Sequence, residues 1–307
     1  MNRSIKWKPK VTMIAYLNLT LAMAISGSAV VVNKIMVNTI PTFLATELGI
    51  VIGMLILIPM TFIYRKEHCH LDKKTYVILF LQAFLGIVMY RIFTFCGLMY
   101  TSAANSGLIT SASPAMVVLL AAIMLREKIG KKEIIGVVIV ISGLFTIHFA
   151  SYLEYVKAGH GINSLKGNML IFVAVICEAL FSVLSKIKCR PMSALYRTTM
   201  IVMFAAICLC PMAVYDIIHY NVDAIPMKTV ACIIYYGIFV TYLSYVFWFQ
   251  GIAKVPASEA AIFTSVVPIS SIILSVLILK ETIQLSHMIG LSCILTGIFM
   301  TCIQQKK

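Results

Sequence analysis

Long apolar stretches separated by short polar segments are the feature that most constrains how this chain can fold. A helix needs about 20 apolar residues to cross a bilayer core of about 30 Å. Because lipid offers no hydrogen-bond partner to an open strand edge, each stretch is expected to be helical. The sequence therefore predicts an all-α integral membrane protein with ten transmembrane helices. The predicted spans lie near residues 11–32, 42–64, 75–97, 102–125, 133–150, 167–187, 194–215, 227–250, 257–279 and 285–303.

The composition favours a lipid-covered fold over a soluble enzyme. Hydrophobic residues make up 61% of the 307 residues and charged residues only 12%. Soluble domains are roughly 45–50% apolar and about 25% charged. The segments between the spans are too short to hold an ATPase, and we find no glycine-rich phosphate loop, nucleophile elbow or metal-ligand run. The sequence therefore predicts a non-enzyme that needs no cofactor or metal.

The net charge of +14 comes largely from basic residues clustered in the polar segments. Segments rich in Lys and Arg face the cytoplasm in most membrane proteins. The clusters fall on one side if the N-terminus is cytoplasmic, which predicts a plasma-membrane protein with both termini in the cytoplasm. No basic surface then remains for nucleic acid, so the expected partners are the lipid bilayer and a small-molecule solute. The clusters lie within residues 3–10, 65–74, 126–132 and 186–190.

The two halves of the chain are related by an internal repeat. We assign the first repeat to residues 11–150, a connecting loop to 151–166 and the second repeat to 167–303. A shift of 152 residues places Lys34 on Lys186. A shift of 154 residues places Gly97 on Gly251, Pro114 on Pro268, Glu127 on Glu281, Gly136 on Gly290 and Gly143 on Gly297.

The internal repeat indicates a function as well as an architecture. Each half holds five predicted helices, and an odd number forces the second half to sit upside down relative to the first. Two inverted halves enclose a site near the middle of the membrane and can open it to either side in turn. The architecture therefore predicts a carrier rather than a pore or a receptor, and fusion of the halves makes it compatible with a working monomer.

Several of these positions also match a known family pattern. The first copy, from Gly97 to Gly143, and the second, from Gly251 to Gly297, resemble the EamA repeat of the drug/metabolite transporter superfamily. That repeat carries a small-residue-rich turn, a mid-helix proline, a glutamate at a helix end and a following glycine pair. Ile25 stands where the family usually has Trp. The resemblance implies ten helices, cytoplasmic termini and transport of small metabolites, often outward, and it does not fix the substrate.

Charged residues at membrane depth are the strongest candidates for solute contact, because a charge at the centre of a lipid-facing helix costs at least about 2.5–3.5 kcal/mol. Glu178 lies near the middle of span six, and Ser182 and Ser185 share its helix face. Glu178 could bind a substrate amine or a proton, or it could be a protonated packing residue. Arg91 could pair with a substrate carboxylate or extend to the outer headgroups.

Other charged residues favour structural roles. Glu47 is expected at the outer interface, and Arg197 is expected to anchor span seven near the inner interface. Glu127 and Glu281 close spans four and nine and are expected to form ion pairs or helix caps, with gating as the alternative.

Aromatic and small polar side chains complete the candidate set. Span eight places five aromatic residues at helical spacing, which predicts one stripe that faces either lipid and core or the cavity. Asn18 and Ser26 share a face of span one. Span four carries a weakly polar face that could also serve close packing, formed by Ser102, Ser106, Thr110 and Ser113. The aromatic residues are Tyr235, Phe239, Tyr242, Tyr245 and Phe249.

The sequence thus predicts a secondary carrier that moves an amino acid or related amine by alternating access, with export preferred on the family resemblance and a proton exchanged at Glu178. A broad drug or lipid-precursor carrier is the first alternative, and a non-transporting receptor or scaffold is the second. The predicted substrate-binding residues are Asn18, Ser26, Arg91, Glu178, Ser182, Tyr242 and Tyr245.

Overall fold

The described part of the protein consists of helices and the turns between them. A computed structural model describes residues 9–36, 39–64, 72–101, 106, 109–110, 112–127, 129–157, 165–187, 192–220, 225–280 and 285–303. No strand occurs in these ranges. We label the helices α1 (Pro9–Met36), α2 (Thr42–Ile63), α3 (Lys73–Leu98), α4 (Ser113–Leu125), α5 (Lys131–Lys157), α6 (Leu165–Leu184), α7 (Ala194–His219), α8 (Met227–Ile252), α9 (Ala257–Phe263), α10 (Val266–Leu279) and α11 (Leu285–Ile303).

The length and exposure of these helices identify an integral membrane protein. Seven of the described helical stretches are long and apolar enough to cross a bilayer: α1, α2, α3, α6, α7, α8 and the stretch formed by α9 and α10. Three more apolar stretches, in α4, α5 and α11, are shorter. Large apolar side chains point outward along the bundle, for example Met13, Leu55 and Leu277, each at least 70% exposed. A surface of this kind requires lipid around it.

Helix packing follows the repeat that the sequence indicates. Helix α1 packs on α10 and α8, and its counterpart in the second half, α6, packs on α4 and α3. Each helix of the first half thus meets the partner that the symmetry assigns to it. Helix α2 corresponds to α7 in the second half, and α5 corresponds to α11. The two helices of each of these pairs pack on each other across the two halves.

Local backbone features repeat as well. A π-helical segment interrupts α3 at Phe84–Met89, and another interrupts α8 at Tyr236–Ser244. Both α4 and α10 are followed by a non-glycine residue in the left-handed region, Arg126 with φ 54° and Lys280 with φ 56°. Two glycines allow α5 and α11 to approach closely, since a Cβ on Gly143 would lie 2.7 Å from the carbonyl oxygen of Gly290.

Corresponding helices of the two halves run in opposite directions. Near the start of α1, the Tyr16 hydroxyl donates to Glu259 of α9. The lysine that follows the end of α6, Lys186, donates to the backbone carbonyl of Val255, just before α9. Helix α1 therefore begins at the end of the bundle where α6 finishes. We call this the lower end, marked by Tyr16 and Lys186, and the opposite one the upper end, marked by the hydroxyl pair Thr39 and Thr229.

Candidate functional site

A central cavity of about 320 Å³ lies between the two halves. Its walls come from α1, α2, α3, α6, α7, α8 and α10. The volume falls at the small end of the range of about 300–1,000 Å³ that ligand pockets occupy. Five of the seven predicted substrate-binding residues line it: Ser26, Arg91, Glu178, Ser182 and Tyr245.

Arg91 brings a positive charge to the cavity wall. It lies in α3, two residues after the π-helical segment. Its guanidinium donates to the Thr46 hydroxyl at 3.1 Å and to the Tyr236 hydroxyl. The alternative in which Arg91 reaches outward to lipid headgroups is therefore wrong, because both contacts hold the side chain inside the bundle. Its described hydrogen-bond partners are neutral hydroxyls, so the charge remains available to an anionic group.

Glu178 brings a carboxyl group to the same wall. Its Oε2 accepts a hydrogen bond from the Ser113 hydroxyl at 2.8 Å. Glu178 also lines a neighbouring cavity of about 290 Å³ that includes Thr110, Ser113 and Ser271. Tyr90 and Val30 border both cavities as well. The carboxylate thus lies where the two spaces meet, with a neutral hydroxyl as its described hydrogen-bond partner.

The remainder of the wall is largely apolar and aromatic. Phe181 and Tyr245 meet edge to face, with ring centroids 6.0 Å apart. Trp248 also lines the cavity, and its indole nitrogen is buried with no hydrogen-bond partner among the described residues. The Ser26 hydroxyl shares a hydrogen bond of 2.8 Å with Ser244 of α8. A guanidinium and a carboxyl group in a largely aromatic wall can hold a small solute that carries both charge and apolar surface.

Two predicted residues lie elsewhere. Asn18 is buried below the cavity, where its side-chain amide donates to Gln250 at 3.2 Å. The Tyr242 hydroxyl points toward α2 and donates to the sulfur of Met60. Neither residue is part of the cavity lining.

The predicted single aromatic stripe of span eight is wrong. The π-helical segment adds residues to each turn, so positions spaced for a regular helix no longer share one face. Tyr235 stacks on Phe239, whose side chain is exposed, whereas Phe249 is buried in the core. The face of α8 that lines the cavity was missed in the sequence, and it consists of Tyr236, Val240, Thr241, Ser244, Tyr245 and Trp248.

A polar network closes the lower end beneath the cavity. Arg197 is not the expected anchor, because its guanidinium donates to the carbonyl oxygens of Ser185 and Leu184 and to the Gln82 side chain. Lys186 donates to the carbonyl oxygens of Ile252 at 2.9 Å and Val255 at 2.6 Å.

Burial and charge act on Lys186 in opposite directions. Burial lowers the pKa of its ammonium, and the carboxylates of Glu127 and Glu259 oppose that shift. Glu259 was missed in the sequence, and no pattern there distinguishes it. Glu47, expected at the outer interface, is only partly buried on α2, and one of its carboxylate oxygens has no described hydrogen-bond partner.

Glu127 is a helix cap, as expected, but for a helix of the other half. Its carboxylate accepts hydrogen bonds from the backbone N–H groups of Ala257 at 3.0 Å and Ser258 at 3.2 Å, and from the Ser258 hydroxyl. These groups are the first donors of α9, which a carboxylate stabilises. The matched residue Glu281 and the predicted Ser102 lie outside the described residues.

We expect Glu127→Ala to lower the melting temperature of the purified protein. A hydrogen bond to a charged group contributes about 1.5–3 kcal/mol, and 1 kcal/mol corresponds to roughly 2–4 °C in a protein of this size class. A loss of about 4–10 °C is expected by scanning fluorimetry. Glu127→Gln keeps an acceptor and should lose less than half as much. Equal melting temperatures for wild type and Glu127→Ala would contradict the capping role.

Within the described ranges, no group of three His, Cys, Asp or Glu side chains could hold a metal ion.

Comparison with known proteins gives a consistent result along the chain. The sequence profile of the EamA-like transporter family matches residues 13–149 and 165–303. The chain is 38% identical to the uncharacterized transporter YetK of Bacillus subtilis (strain 168), over 97% of this chain and 89% of YetK. It is 25% identical to an uncharacterized transporter of Archaeoglobus fulgidus, over 72% of this chain and 75% of that protein. A crystal structure with 16% sequence identity superposes with a TM-score of 0.77, covering 97% of this chain and 99% of the other.

Proposed function

Because the chain belongs to the EamA-like transporter family, we propose that it is a secondary carrier that moves an amino acid or related amine across the plasma membrane by alternating access. The predicted resemblance to this family is confirmed by the profile match and by relatives named as transporters. The substrate class, the direction and the mechanism of transport go beyond that match, and the cavity is what supports them.

The proposed topology has ten membrane spans in two inverted repeats, with the first at 11–150, the connecting loop at 151–166 and the second at 167–303. Helices α9 and α10 together would form span nine, and the shorter apolar stretches of α4, α5 and α11 would complete spans four, five and ten. The opposite directions of α1 and α6 support the inversion. The lower end would be cytoplasmic, since the first residues of α1 and Lys186, which belongs to one of the basic clusters of the sequence, lie there.

The observation that carries the proposed substrate class is the presence of Arg91 and Glu178 in one cavity, each hydrogen-bonded to neutral hydroxyls. A solute with a carboxylate and an ammonium group can satisfy both charges at once. The planar guanidinium suits a carboxylate, and the Glu178 carboxylate suits an ammonium. The apolar part of the solute would then pack on Phe181 and Trp248.

Alternating access requires that the cavity opens to one end of the bundle at a time. The polar network at Lys186 and Arg197 closes the lower end, and Leu19, Ile252 and Phe263 are buried there. Asn33, near the upper end of α1, borders the cavity and is exposed. In this conformation a solute would leave toward the upper end, which is the direction of export in the proposed topology. A proton that returns on Glu178 would drive the cycle.

A broad drug or lipid-precursor carrier is the second candidate function, and the aromatic and aliphatic share of the cavity wall favours it. It differs from the first in its substrates rather than in its architecture. A receptor or scaffold is less well supported, because neither role needs two inverted halves around a cavity.

A thermal-shift panel on the purified protein tests the substrate class. Each neutral amino acid is compared with the matched amine that lacks the carboxylate and the matched acid that lacks the amino group. A ligand at about 100 times its Kd stabilises the folded protein by about 2.7 kcal/mol, which is a readily measured shift. We expect the zwitterion to stabilise the protein most and each matched compound to bind at least about tenfold more weakly. Stabilisation by lipophilic cations alone would favour the second candidate function.

A further inference from the structure

The contact made by Lys186 joins the ends of two helices directly under the cavity. The residue follows α6, and its ammonium donates to the carbonyl oxygens of Ile252 and Val255 at the end of α8. Both residues that supply these carbonyls are 1% exposed. The contact therefore ties α6 to α8 at the closed lower end, where an inward-open conformation would have to separate them.

The repeat supplies a matching set of groups at the upper end. The shift that aligns the first helices places Lys34 on Lys186, and the shift that aligns the third helix of each half places Leu98 on Ile252 and Thr101 on Val255. Lys34 lies near the end of α1, as Lys186 lies at the end of α6.

The turns that present the carbonyl groups have the same backbone geometry. After α3, the backbone N–H of Tyr100 donates to the carbonyl of Gly97 at 2.9 Å. After α8, the backbone N–H of Lys254 donates to the carbonyl of Gly251 at 3.0 Å. The carbonyls of Leu98 and Thr101 therefore belong to a turn of the kind that binds Lys186 below.

At the upper end, the corresponding lysine and its neighbour lie at the surface of the bundle. Lys34 is exposed, and its neighbour Asn33 borders the cavity. Arg91, in the upper half of α3, lines the facing wall. Closure of the upper end would bring the end of α1 toward the end of α3, the movement that mirrors the contact of α6 with α8 below.

We propose that Lys186 and Lys34 are paired positioning residues of the transport cycle, each closing one end of the cavity by binding two backbone carbonyl groups. Lys186 holds the lower end closed through Ile252 and Val255 in the conformation described here. Lys34 binds the carbonyls of Leu98 and Thr101 when the upper end closes and the lower end opens. The inference rests on the alternating access of the proposed function and assigns its two closing contacts.

A distance measurement between spin labels tests the pair without any solute. The nine native cysteines are replaced, and labels are attached to Asn33→Cys and Met99→Cys at the upper ends of α1 and α3. The distance between the two labels is measured in nanodiscs by pulsed electron–electron double resonance. Wild type at these positions is expected to give mainly the longer, upper-open distance.

Loss of Lys186 and loss of Lys34 should shift this distance distribution in opposite directions. We expect Lys186→Ala to move the ratio of upper-open to upper-closed protein about tenfold toward closed, equivalent to about 1.4 kcal/mol. Adding Lys34→Ala to that variant removes the competing contact and should restore the longer distance. Lys186→Arg keeps hydrogen-bond donors and should stay close to wild type. Gel filtration of each variant confirms that it is folded.

The result that would overturn the pair is a Lys186→Ala distribution equal to wild type, or a double variant that remains upper-closed. A purely structural role for Lys186 would lower stability without the reversal by Lys34→Ala. Because no solute is present, failure here leaves the thermal-shift test of the proposed substrate class unaffected, and failure of that test leaves this one intact.

Discussion

Replacement of Glu178 by Gln is expected to weaken binding of an amine-bearing solute by at least about tenfold, because a hydrogen bond to a charged group contributes about 1.5–3 kcal/mol. Glutamine has nearly the same shape, so Ser113 can still donate to its side-chain oxygen and the cavity wall should stay in place. The variant therefore removes the negative charge and little else. Titration of the purified protein by isothermal calorimetry measures the change.

The pH dependence of solute binding should also change in Glu178→Gln. Protons and the solute ammonium compete for the same carboxylate, so binding by wild type is expected to weaken as the pH falls and to recover as the pH rises. Glu178→Gln cannot titrate and should give a flat profile over the same range. Proton exchange at this residue predicts that a pH gradient no longer drives flux in the variant.

Glu47→Gln is the matched control for loss of a carboxylate at membrane depth. Glu47 lies on α2 and is not part of the cavity lining, so binding should be unchanged in this variant. Normal binding and transport by Glu178→Gln at every pH would reject both the amine-binding and the proton-coupling role of Glu178.

Gly27→Val is expected to be among the most destabilising single substitutions in the described part of the chain. A Cβ at Gly27 would lie 1.8 Å from the Ser270 hydroxyl oxygen and 2.4 Å from the Val267 carbonyl oxygen. The side chain of Ser270 can rotate, but the carbonyl belongs to the backbone of α10. Helices α1 and α10, which join the two halves, must therefore separate.

The expected loss in free energy of unfolding exceeds the roughly 1–3 kcal/mol of ordinary overpacking. We therefore expect the melting temperature of Gly27→Val to fall by about 10 °C or more, with a lower yield of folded protein. Leu17→Val is the control, since it places the same side chain at a position of α1 that is 57% exposed. Adding Ser270→Ala to Gly27→Val removes the closest clash and should recover only part of the loss. Wild-type stability of Gly27→Val would contradict the close packing of α1 on α10.

The architecture was predictable because it follows from patterns that survive along the whole chain. Apolar runs of spanning length fix the helices, and matched Gly, Pro and Glu residues reveal the repeat. The packing of α1 on α10 and α8, mirrored by α6 on α4 and α3, follows the symmetry that those residues indicate. The count of ten spans is harder to obtain, since α4, α5 and α11 are short apolar stretches in the described residues.

The cavity was predictable only in part. An ionisable side chain inside an apolar span almost always faces the interior of the bundle or a cavity, which is why Arg91 and Glu178 could be selected from the sequence. The facing wall of α8 could not, because its π-helical turn has no recognisable sequence signal and displaces Tyr242 from the face that Tyr245 occupies. Asn18 shares a helix face with Ser26, yet it lies two turns lower, where the side-chain oxygen of Gln250 accepts a hydrogen bond from its amide.

Solute counterflow in proteoliposomes tests the central claim most directly. Vesicles loaded with an unlabelled amino acid that stabilises the protein are placed in the same solute carrying a radiolabel. Transport through the cavity predicts transient accumulation of label with wild type, and none above empty vesicles with the double variant Arg91→Gln and Glu178→Gln. Absence of counterflow with wild type, or equal counterflow with the double variant, would contradict a carrier that binds its solute between these two charges.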